Sequence, residues 1–290
     1  MVHSRDTHSD RPTDPTPCRV AYQGEAGAYS EAAAMAALGS DIEPIPCETF
    51  DEVFEALVEE RADRAIVPIE NSLAGSIHRN YDLMLRNDLH IVGEYGLRVR
   101  HHLMALPGQS LKDVDEVLSH PQALSQCEYY LRELDVRWQT TYDTAGSAKR
   151  VRNKQLTAVA AIASRRAAKV YDLEVLAEGI EDDSENYTRF LVLSQQPQTP
   201  PEDRAAKTSI VFSLHDEPSV LFKALSVFAL RDIDLTKLES RPLRGKRWRY
   251  LFYLDFAGNV TEERSQNALR HLREIAPMLR VLGSYPRHEH

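Results

Sequence analysis

The 290-residue sequence has few cysteines, no long apolar run and no excess of positive charge. Cys18, Cys47 and Cys127 are widely spaced and form no CxxC pair, which argues against a disulfide framework and against a zinc site. No stretch approaches the roughly 20 apolar residues that cross a bilayer. The formal net charge of -9 disfavours nucleic acid and anionic membranes, because both attract basic surfaces. We therefore expect free thiols, no metal, and neither a nucleic-acid nor a membrane partner.

Cofactor fingerprints are also missing. The segment Gly24–Gly27 lacks the third glycine of a dinucleotide-binding loop, and no GxxxxGK[ST] phosphate loop occurs. His101 and His102 are neighbours that point to opposite faces of a predicted strand, so they cannot hold a metal together. We expect no cofactor.

Residues 1–17 are polar, acidic and rich in proline. They lack the apolar run of a secretory signal and the Arg-rich, acid-poor composition of an import signal. The sequence therefore predicts a disordered tail over 1–17 and a cytoplasmic location.

From Cys18 onward, short β-branched runs alternate with helical periods, which is typical of an α/β fold. The stretch 197–206 has no apolar periodicity and three prolines, so it predicts a linker. Beyond it the predicted elements follow a βαββαβ order over about 80 residues, the ferredoxin-like plan. We predict a larger domain over 18–196, a linker over 197–206 and a smaller domain over 207–286.

Strands are predicted from the β-branched runs, with helices filling the gaps between them. The predicted strands are Arg19–Tyr22, Ile42–Pro46, Arg64–Ile69, Leu89–Gly93, His102–Ala105, Val114–Ser119, Arg137–Tyr142, Thr157–Ala163, Thr208–Leu214, Asp234–Glu239, Arg249–Phe256 and Leu279–Gly283. One predicted helix starts at Thr49, with Glu52 at capping-box spacing, and another places Cys127 on its apolar stripe.

Polar residues follow several of these strands where a helix is expected to begin, at Glu70–Ser72, Ser119–Gln122 and Asp143–Ser147. Helix starts carry unpaired N–H groups and partial positive charge, and the carboxyl ends of strands meet in one crevice. This arrangement predicts a site for a small dianion. Taken singly, Asn71, Ser119 and Thr144 are better explained as helix N-caps.

The strand around Thr188 carries a further candidate. Alternation places Thr188 on the face of Phe190, where a buried hydroxyl needs a hydrogen-bond partner. A threonine in a strand is more often only a strand former.

Together these segments resemble the prephenate dehydratase family, from about Cys18 to Pro286. Their order and spacing argue against a chance match. The segments that carry the resemblance are Val20–Gly24 with Gly27–Ala32, Pro68–Ser72 with Gly75–Ser76, Ser119–Leu124, Asp143–Ala145 and Thr188–Phe190.

The resemblance implies a two-lobed, periplasmic-binding-protein-like catalytic domain, with lobes at 18–96 plus about 176–195 and at 97–175. It also implies the removal of carbon dioxide and the ring hydroxyl from prephenate, giving phenylpyruvate in phenylalanine biosynthesis. Catalytic roles fall on Thr188, at the leaving hydroxyl, and on Glu70, as proton source or as a structural residue at a helix start. Substrate-binding roles fall on Asn71, Ser72, Gln122, Thr144, Ala145 and Arg189.

The last domain resembles the ACT regulatory module of the family, which implies a homodimer or homotetramer inhibited by phenylalanine. Ser219 stands where the family commonly has glycine, and glycine lets a ligand approach the backbone closely. The residues implied in phenylalanine binding are Ser219, Val220, Leu221, Glu239, Ser240, Arg241 and Pro242.

Two alternatives stay open. The segments SIHRNYDL, PSVLFKALS and RVLGSYP also resemble plant-type arogenate dehydratases, whose substrate has an amino group in place of the keto oxygen. From another class, the chain is a non-catalytic cytosolic sensor of small anions. The sequence does not decide the substrate, the proton donor, the oligomer size or the sign and strength of the effector response.

Overall fold

A computed structural model describes residues 17–201, 203–243 and 250–288. The predicted tail falls, apart from Pro17, on residues outside these ranges. The strands are β1 Cys18–Gln23, β2 Ile42–Cys47, β3 Arg64–Asn71, β4 Gly75–Ser76, β5 His90–Arg98, β6 His102–Ala105, β7 Glu116–Ser119, β8 Arg137–Thr140, β9 Val159–Ala163, β10 Glu174–Glu178, β11 Tyr187–Ser194, β12 Ala206–Ser213, β13 Leu235–Pro242, β14 Tyr250–Ala257 and β15 Met278–Pro286. The helices are α1 Tyr29–Leu38, α2 Phe50–Val58, α3 His78–Arg86, α4 Pro121–Ser125, α5 Glu128–Leu134, α6 Thr144–Asn153, α7 Arg165–Val170, α8 Val220–Ala229 and α9 Glu263–Ile275, with a 3-10 turn at Leu111–Asp113.

Two sheets form the two lobes predicted for the larger domain. The first has the order β2-β1-β3-β11-β5, with β4 paired to β3. The second has the order β10-β6-β9-β7-β8. Strands β1, β2 and β3 run parallel, as do β7, β8 and β9, so their carboxyl ends lie at common edges. The periplasmic-binding-protein-like fold is confirmed.

Two details of this domain differ from the prediction. Strand β10 was not predicted, and it pairs with β6 in the second sheet, so the chain returns to the first lobe after β10 and not at residue 176. The helix predicted through Cys127 is split into α4 and α5, although Cys127 itself is fully buried as predicted. All three cysteines are unpaired.

The remaining strands form a third, antiparallel sheet in the order β13-β14-β12-β15. With α8 and α9 the element order is βαββαβ, which confirms the ferredoxin-like prediction. The two helices bury one face of the sheet through an apolar core that includes Phe212, Phe228, Phe256 and Leu272.

The other face of the third sheet packs against the first lobe. Leu251, Tyr253 and Leu282 share one buried cluster with residues of the first sheet. The Tyr253 ring lies 4.5 Å from the Tyr81 ring, centroid to centroid. Gly283 of β15 lies so close to β5 that a Cβ atom there would sit 2.0 Å from the Ile91 carbonyl oxygen. The smaller domain is therefore docked through a continuous core.

No helix in the described ranges is both long and apolar enough to cross a membrane.

Candidate active site

A cavity of about 600 Å³ lies between the two lobes. Its walls come from the ends of parallel strands and from the starts of helices α1, α2, α4 and α6; the sequence had named the starts of α4 and α6. The lining includes Gln23, Tyr29, Ser30, Thr49, Phe50, Pro68, Asn71, Ile77, Arg79, His101, His120, Gln122, Gln126, Tyr142, Asp143, Thr144, Thr188 and Phe190. A cavity of similar volume, about 580 Å³, lies on the outer surface of the second lobe between residues 111–115 and 134–137 and lacks such helix starts.

Caps already occupy part of the helix-start N–H groups. The Thr49 hydroxyl accepts from the Glu52 N–H at 3.2 Å, and His120 Nδ1 accepts from the Gln122 N–H at 3.2 Å. The Asp143 carboxylate accepts from the N–H groups of α6. The caps of α4 and α6 are therefore His120 and Asp143, and not the predicted Ser119 and Thr144. No helix begins after Asn71, because the chain turns there from β3 into β4.

Asn71 orients the hydroxyl of Thr188. The Asn71 carbonyl oxygen accepts from the N–H groups of Leu73 and Ala74 at 3.1 and 2.9 Å, which fixes the orientation of the amide. Its Nδ2 then donates to Thr188 Oγ1 at 3.0 Å. Because the oxygen of Thr188 accepts this bond, its own hydrogen is free to donate to a ligand in the cavity.

The same amide starts a buried chain that reaches the second lobe. Asn71 Nδ2 donates to Asn186 Oδ1 at 2.8 Å, and Asn186 Nδ2 donates to Gln126 Oε1 at 3.0 Å. His101 Nε2 lies 3.0 Å from the same Gln126 oxygen, so it must donate. His101 Nδ1 lies 2.9 Å from the Tyr29 hydroxyl, which also lies 2.8 Å from the Arg100 carbonyl oxygen, so the one hydrogen of that hydroxyl has two acceptors within reach.

This chain lies at the two places where the polypeptide crosses between lobes. His101 follows β5 at the first crossing, and Asn186 precedes β11 at the second. Both side chains are buried. The chain therefore connects polar side chains of both crossings to the amide that bonds Thr188.

Of the residues predicted to act on substrate, four line the cavity: Asn71, Gln122, Thr144 and Thr188. Ser72 and Ala145 do not. The Ser72 hydroxyl bonds the Glu185 carbonyl and the Tyr187 N–H at 2.7 and 2.9 Å, and Ala145 is fully buried behind the start of α6.

Glu70 and Arg189 lie on the opposite face of the first sheet, because strand alternation turns them away from their neighbours Asn71 and Thr188. Lys237 Nζ of β13 lies 2.8 Å from the Glu70 carboxylate. Arg189 pairs with Glu94 at 2.8 Å and with Asp255 at 2.6 Å. The structure therefore removes Glu70 as proton source and Arg189 as a substrate-binding residue.

Several lining residues were missed from the sequence, among them Tyr29, Arg79, His101, His120 and Gln126. His120 and Gln126 flank α4 next to the predicted Gln122, and Tyr29 lies inside Gly27–Ala32, which carried the family resemblance. Arg79 lies inside SIHRNYDL, the segment that resembles plant-type arogenate dehydratases. His101 gave no signal of this role, because its partners are distant in sequence.

The electrostatics of the cavity depend on burial. Desolvation lowers the pKa of His101 and His120, which favours their neutral forms. Desolvation also raises the pKa of Asp143. Among the described residues that line the cavity, Arg79 is the one side chain with a permanent positive charge. Its guanidinium and the helix starts together supply the attraction for an anion.

Within the described ranges, no group of three or more His, Cys, Asp or Glu side chains is placed to hold a metal. The expectation of a cofactor-free site remains a prediction.

The residues implied in regulation lie in the smaller domain, at the start of α8 and the end of β13. Ser219 has φ 61°, in the left-handed region that favours glycine. Glu239 accepts from the Ser76 hydroxyl at 2.9 Å, and Arg241 pairs with Asp82 at 3.2 Å. Strand β13 therefore contacts β4 and α3, the helix that carries Arg79.

Comparison with known proteins agrees with this geometry. The family model for prephenate dehydratase matches residues 20–198. Arogenate dehydratase/prephenate dehydratase 2 of Arabidopsis thaliana is 56% identical over 277 residues, which cover 92% of this chain and 72% of that protein. Prephenate dehydratase from Arthrobacter aurescens, solved with L-Phe, matches with a TM-score of 0.85 and 33% identity over 93% of this chain and 90% of that one. A structure described as GqqA, a novel type of quorum quenching acylase, matches with a TM-score of 0.87 and 34% identity over 93% of this chain and 98% of that one.

The comparisons also correct the predicted location. The Arabidopsis relatives are named as chloroplastic proteins. The prediction of a cytoplasmic location is therefore wrong.

Proposed function

The chain belongs to the prephenate dehydratase family, and we propose that its cleft acts on both prephenate and arogenate. The chain is an enzyme of phenylalanine biosynthesis. From prephenate it removes carbon dioxide and the ring hydroxyl to give phenylpyruvate. The corresponding product from arogenate is phenylalanine.

One observation carries the catalytic assignment: Thr188 lies in the cavity with its oxygen occupied by Asn71 and its hydrogen free. In the reaction the bond between the ring and its carboxylate breaks, and the electron pair enters the ring. The ring C–O bond breaks at the same time, and the hydroxyl leaves as water after taking up one proton. Thr188 is too weak an acid to supply that proton, so we assign it a hydrogen bond to the departing oxygen.

We assign substrate binding to Asn71, Gln122 and Thr144, which line the cavity beside Thr188. The helix starts and Arg79 supply the positive potential that a dianion needs. A substrate held between the lobes is partly shielded from water, which favours the loss of charge as the carboxylate becomes carbon dioxide.

The test is turnover by the purified protein. Prephenate should yield phenylpyruvate, and arogenate should yield phenylalanine, each with release of carbon dioxide. Absence of turnover with both substrates would contradict the proposed function and favour a non-catalytic sensor of small anions.

We further propose that residues 18–196 form the catalytic domain and 197–206 the linker, and that 207–286 form an ACT domain that binds phenylalanine. A relative of 33% identity was solved with L-Phe, which supports this effector. We place the effector at Ser219–Leu221 and Glu239–Pro242, at the meeting of two copies in a homodimer or homotetramer. Phe222 and Leu230 of the smaller domain are largely exposed in the single chain and support such a contact.

Contacts between β13 and α3 give this regulation a route to the cleft. Glu239 touches Ser76 and Arg241 pairs with Asp82, on either side of Arg79 in sequence. A ligand that alters these contacts shifts α3 if it prefers one arrangement of the domains. Calorimetric titration with phenylalanine tests this: Glu239→Gln should weaken the binding or the inhibition, and an unchanged response in both would contradict the route.

A further inference from the structure

An ion pair at the edge of the cleft joins Arg79 to Asp51. Arg79 lies in the first turn of α3 and Asp51 in the first turn of α2. Arg79 Nε lies 3.0 Å from Asp51 Oδ2, and the terminal nitrogen contacts the same oxygen. The side chains are 63% and 37% exposed. Such an exposed pair is weak, so either partner can exchange its contact for one with a ligand at small cost.

The surroundings of the pair place it at the substrate cavity. Thr49 and Phe50, immediately before Asp51, line the cavity, and so do Ile77 and Arg79 itself. Tyr142 of the second lobe reaches the same edge and donates to the Glu48 carbonyl at 3.0 Å. Arg79 therefore faces the cavity itself, and Asp51 lies beside it at the cavity edge, next to the lining residues Thr49 and Phe50.

The chemistry of the reaction decides which substrate carboxylate Arg79 can hold. The ring carboxylate leaves as neutral carbon dioxide, so an arginine on it would stabilise the ground state more than the transition state and slow the reaction. The side-chain carboxylate keeps its charge throughout, and binding it raises no barrier. The geometry and this argument assign Arg79 to the retained carboxylate.

The group that distinguishes the two substrates lies one bond from that carboxylate. Prephenate has a keto oxygen there, which only accepts hydrogen bonds, and arogenate has an ammonium group, which donates them and carries positive charge. Asp51 accepts hydrogen bonds and is negative. We propose that Asp51 is a specificity-determining residue that favours the amino-acid substrate, arogenate, while Arg79 serves both substrates. This inference rests on the proposed function.

The first test needs no turnover. Phenylpyruvate, the product from prephenate, has lost the ring carboxylate and keeps only the retained one. Arg79→Gln should weaken its binding by roughly 10- to 100-fold, the usual effect of losing a charge-assisted contact. The control is Arg86→Gln, an exposed arginine at the other end of α3. Unchanged binding of phenylpyruvate to Arg79→Gln in calorimetry would overturn the assignment of Arg79.

The second test compares the substrates by initial rates. Asp51→Asn should lower kcat/KM for arogenate by about 10-fold or more relative to that for prephenate. Glu55→Gln, an exposed position on α2, is the control. An equal loss on both substrates would show that Asp51 only holds Arg79, and no loss would show a surface pair without a role; either result overturns the proposal.

The two tests separate this inference from the proposed function. If the wild-type protein converts neither substrate, the proposed function fails. The roles of Asp51 and Arg79 can then still be tested by calorimetry, which measures the binding of phenylpyruvate and phenylalanine. The proposal then requires Asp51→Asn to weaken phenylalanine at the cleft more than phenylpyruvate. Saturation distinguishes the two sites: phenylalanine in the cleft excludes phenylpyruvate completely, whereas phenylalanine at the smaller domain lowers the affinity for phenylpyruvate only to a plateau.

Discussion

At the scale of single residues, the main feature of the candidate site is the direction in which the Thr188 hydroxyl can donate its hydrogen bond. The backbone N–H groups of Leu73 and Ala74 orient the Asn71 amide, and that amide leaves the Thr188 hydrogen free. The orientation of the Thr188 hydroxyl is thus set by backbone N–H groups acting through Asn71, and not by a charged neighbour. This makes the hydroxyl, and not the size of the side chain, the feature to test.

Thr188→Val keeps the shape of the side chain and removes the hydroxyl. We expect normal folding and a loss of roughly 100-fold or more in kcat, the range for losing one positioned hydrogen-bond donor to a developing charge. Steady-state rates with prephenate and circular dichroism are the measurements. A rate within a few-fold of wild type would remove Thr188 from the mechanism.

His101 makes a prediction about pH. Burial lowers its pKa below the ordinary value, so the unfolded chain binds a proton at a pH where the folded protein does not. The stability that results is complete above the unfolded pKa of about 6.5 and declines as pH falls toward the folded pKa. We expect a lower urea midpoint at pH 5.5 than at pH 7.5.

His101→Gln keeps a donor toward Gln126 and does not titrate, so it should reduce this decline. His102 and His120 also have lowered pKa values and remain in the variant, so part of the decline should persist. Asp143, whose pKa is raised, acts in the opposite direction in both proteins. An identical decline in wild type and variant would contradict the assignment to His101.

Sequence motifs predicted some of these residues and misplaced their neighbours. Thr188 and Asn71 were predicted and line the cavity, while Arg189 and Glu70 next to them were predicted and do not. Motifs span consecutive residues, but successive side chains of a strand face opposite ways. His101 and Gln126 were missed because their bonds join crossings that only the folded chain brings together.

At the scale of elements, strand β11 serves two domains at once. Thr188 faces the cleft, and Arg189 faces a buried network with Glu94, Asp255 and Tyr285. The side chains of Arg189, Glu94 and Asp255 are 19%, 3% and 9% exposed. Such a network needs every charge to be paired.

Arg189→Met should therefore destabilise the protein by about 3 to 5 kcal/mol, because the buried Asp255 carboxylate loses its cationic partner and Glu94 is left with Lys207. The expected effect is on the free energy of unfolding, measured by urea denaturation. If the variant has normal stability and a raised KM, Arg189 binds substrate after all, which would contradict its placement outside the cavity.

The element order was largely predictable, because hydrophobic period and helix caps act locally. Thr49 caps α2 as predicted. Strand β10 was missed: its side chains are intermediate or exposed, so the burial that produces a clear period is absent. The break between α4 and α5 was missed because both parts share one apolar stripe.

At the scale of the whole molecule, the smaller domain and the first lobe share a core. Tyr253, Leu251 and Leu282 from one side pack with Phe54 and Ile91 from the other. The sequence predicted two domains and a linker, and each apolar face was readable. The sequence did not predict which apolar faces pack against each other, because periodicity indicates that a face is buried but not which surface covers it.

From this shared core we expect the two domains to unfold together. Calorimetry should show a single transition, because separating the domains exposes apolar surface on both. Two transitions, or an unchanged transition of residues 18–196 after cleavage in 197–206 and removal of the smaller domain, would contradict this.

Gly283 lies against the Ile91 carbonyl oxygen, and the space there holds the hydrogen of glycine but no side-chain carbon. Any other residue there would push β15 away from β5, and alanine already places a carbon 2.0 Å from that oxygen. In a saturation library selected for growth without phenylalanine, position 283 should therefore tolerate glycine alone, while its neighbours on β15 vary. A glycine at the position equivalent to 283 in a homologous sequence therefore indicates that its smaller domain packs equally close to the first lobe.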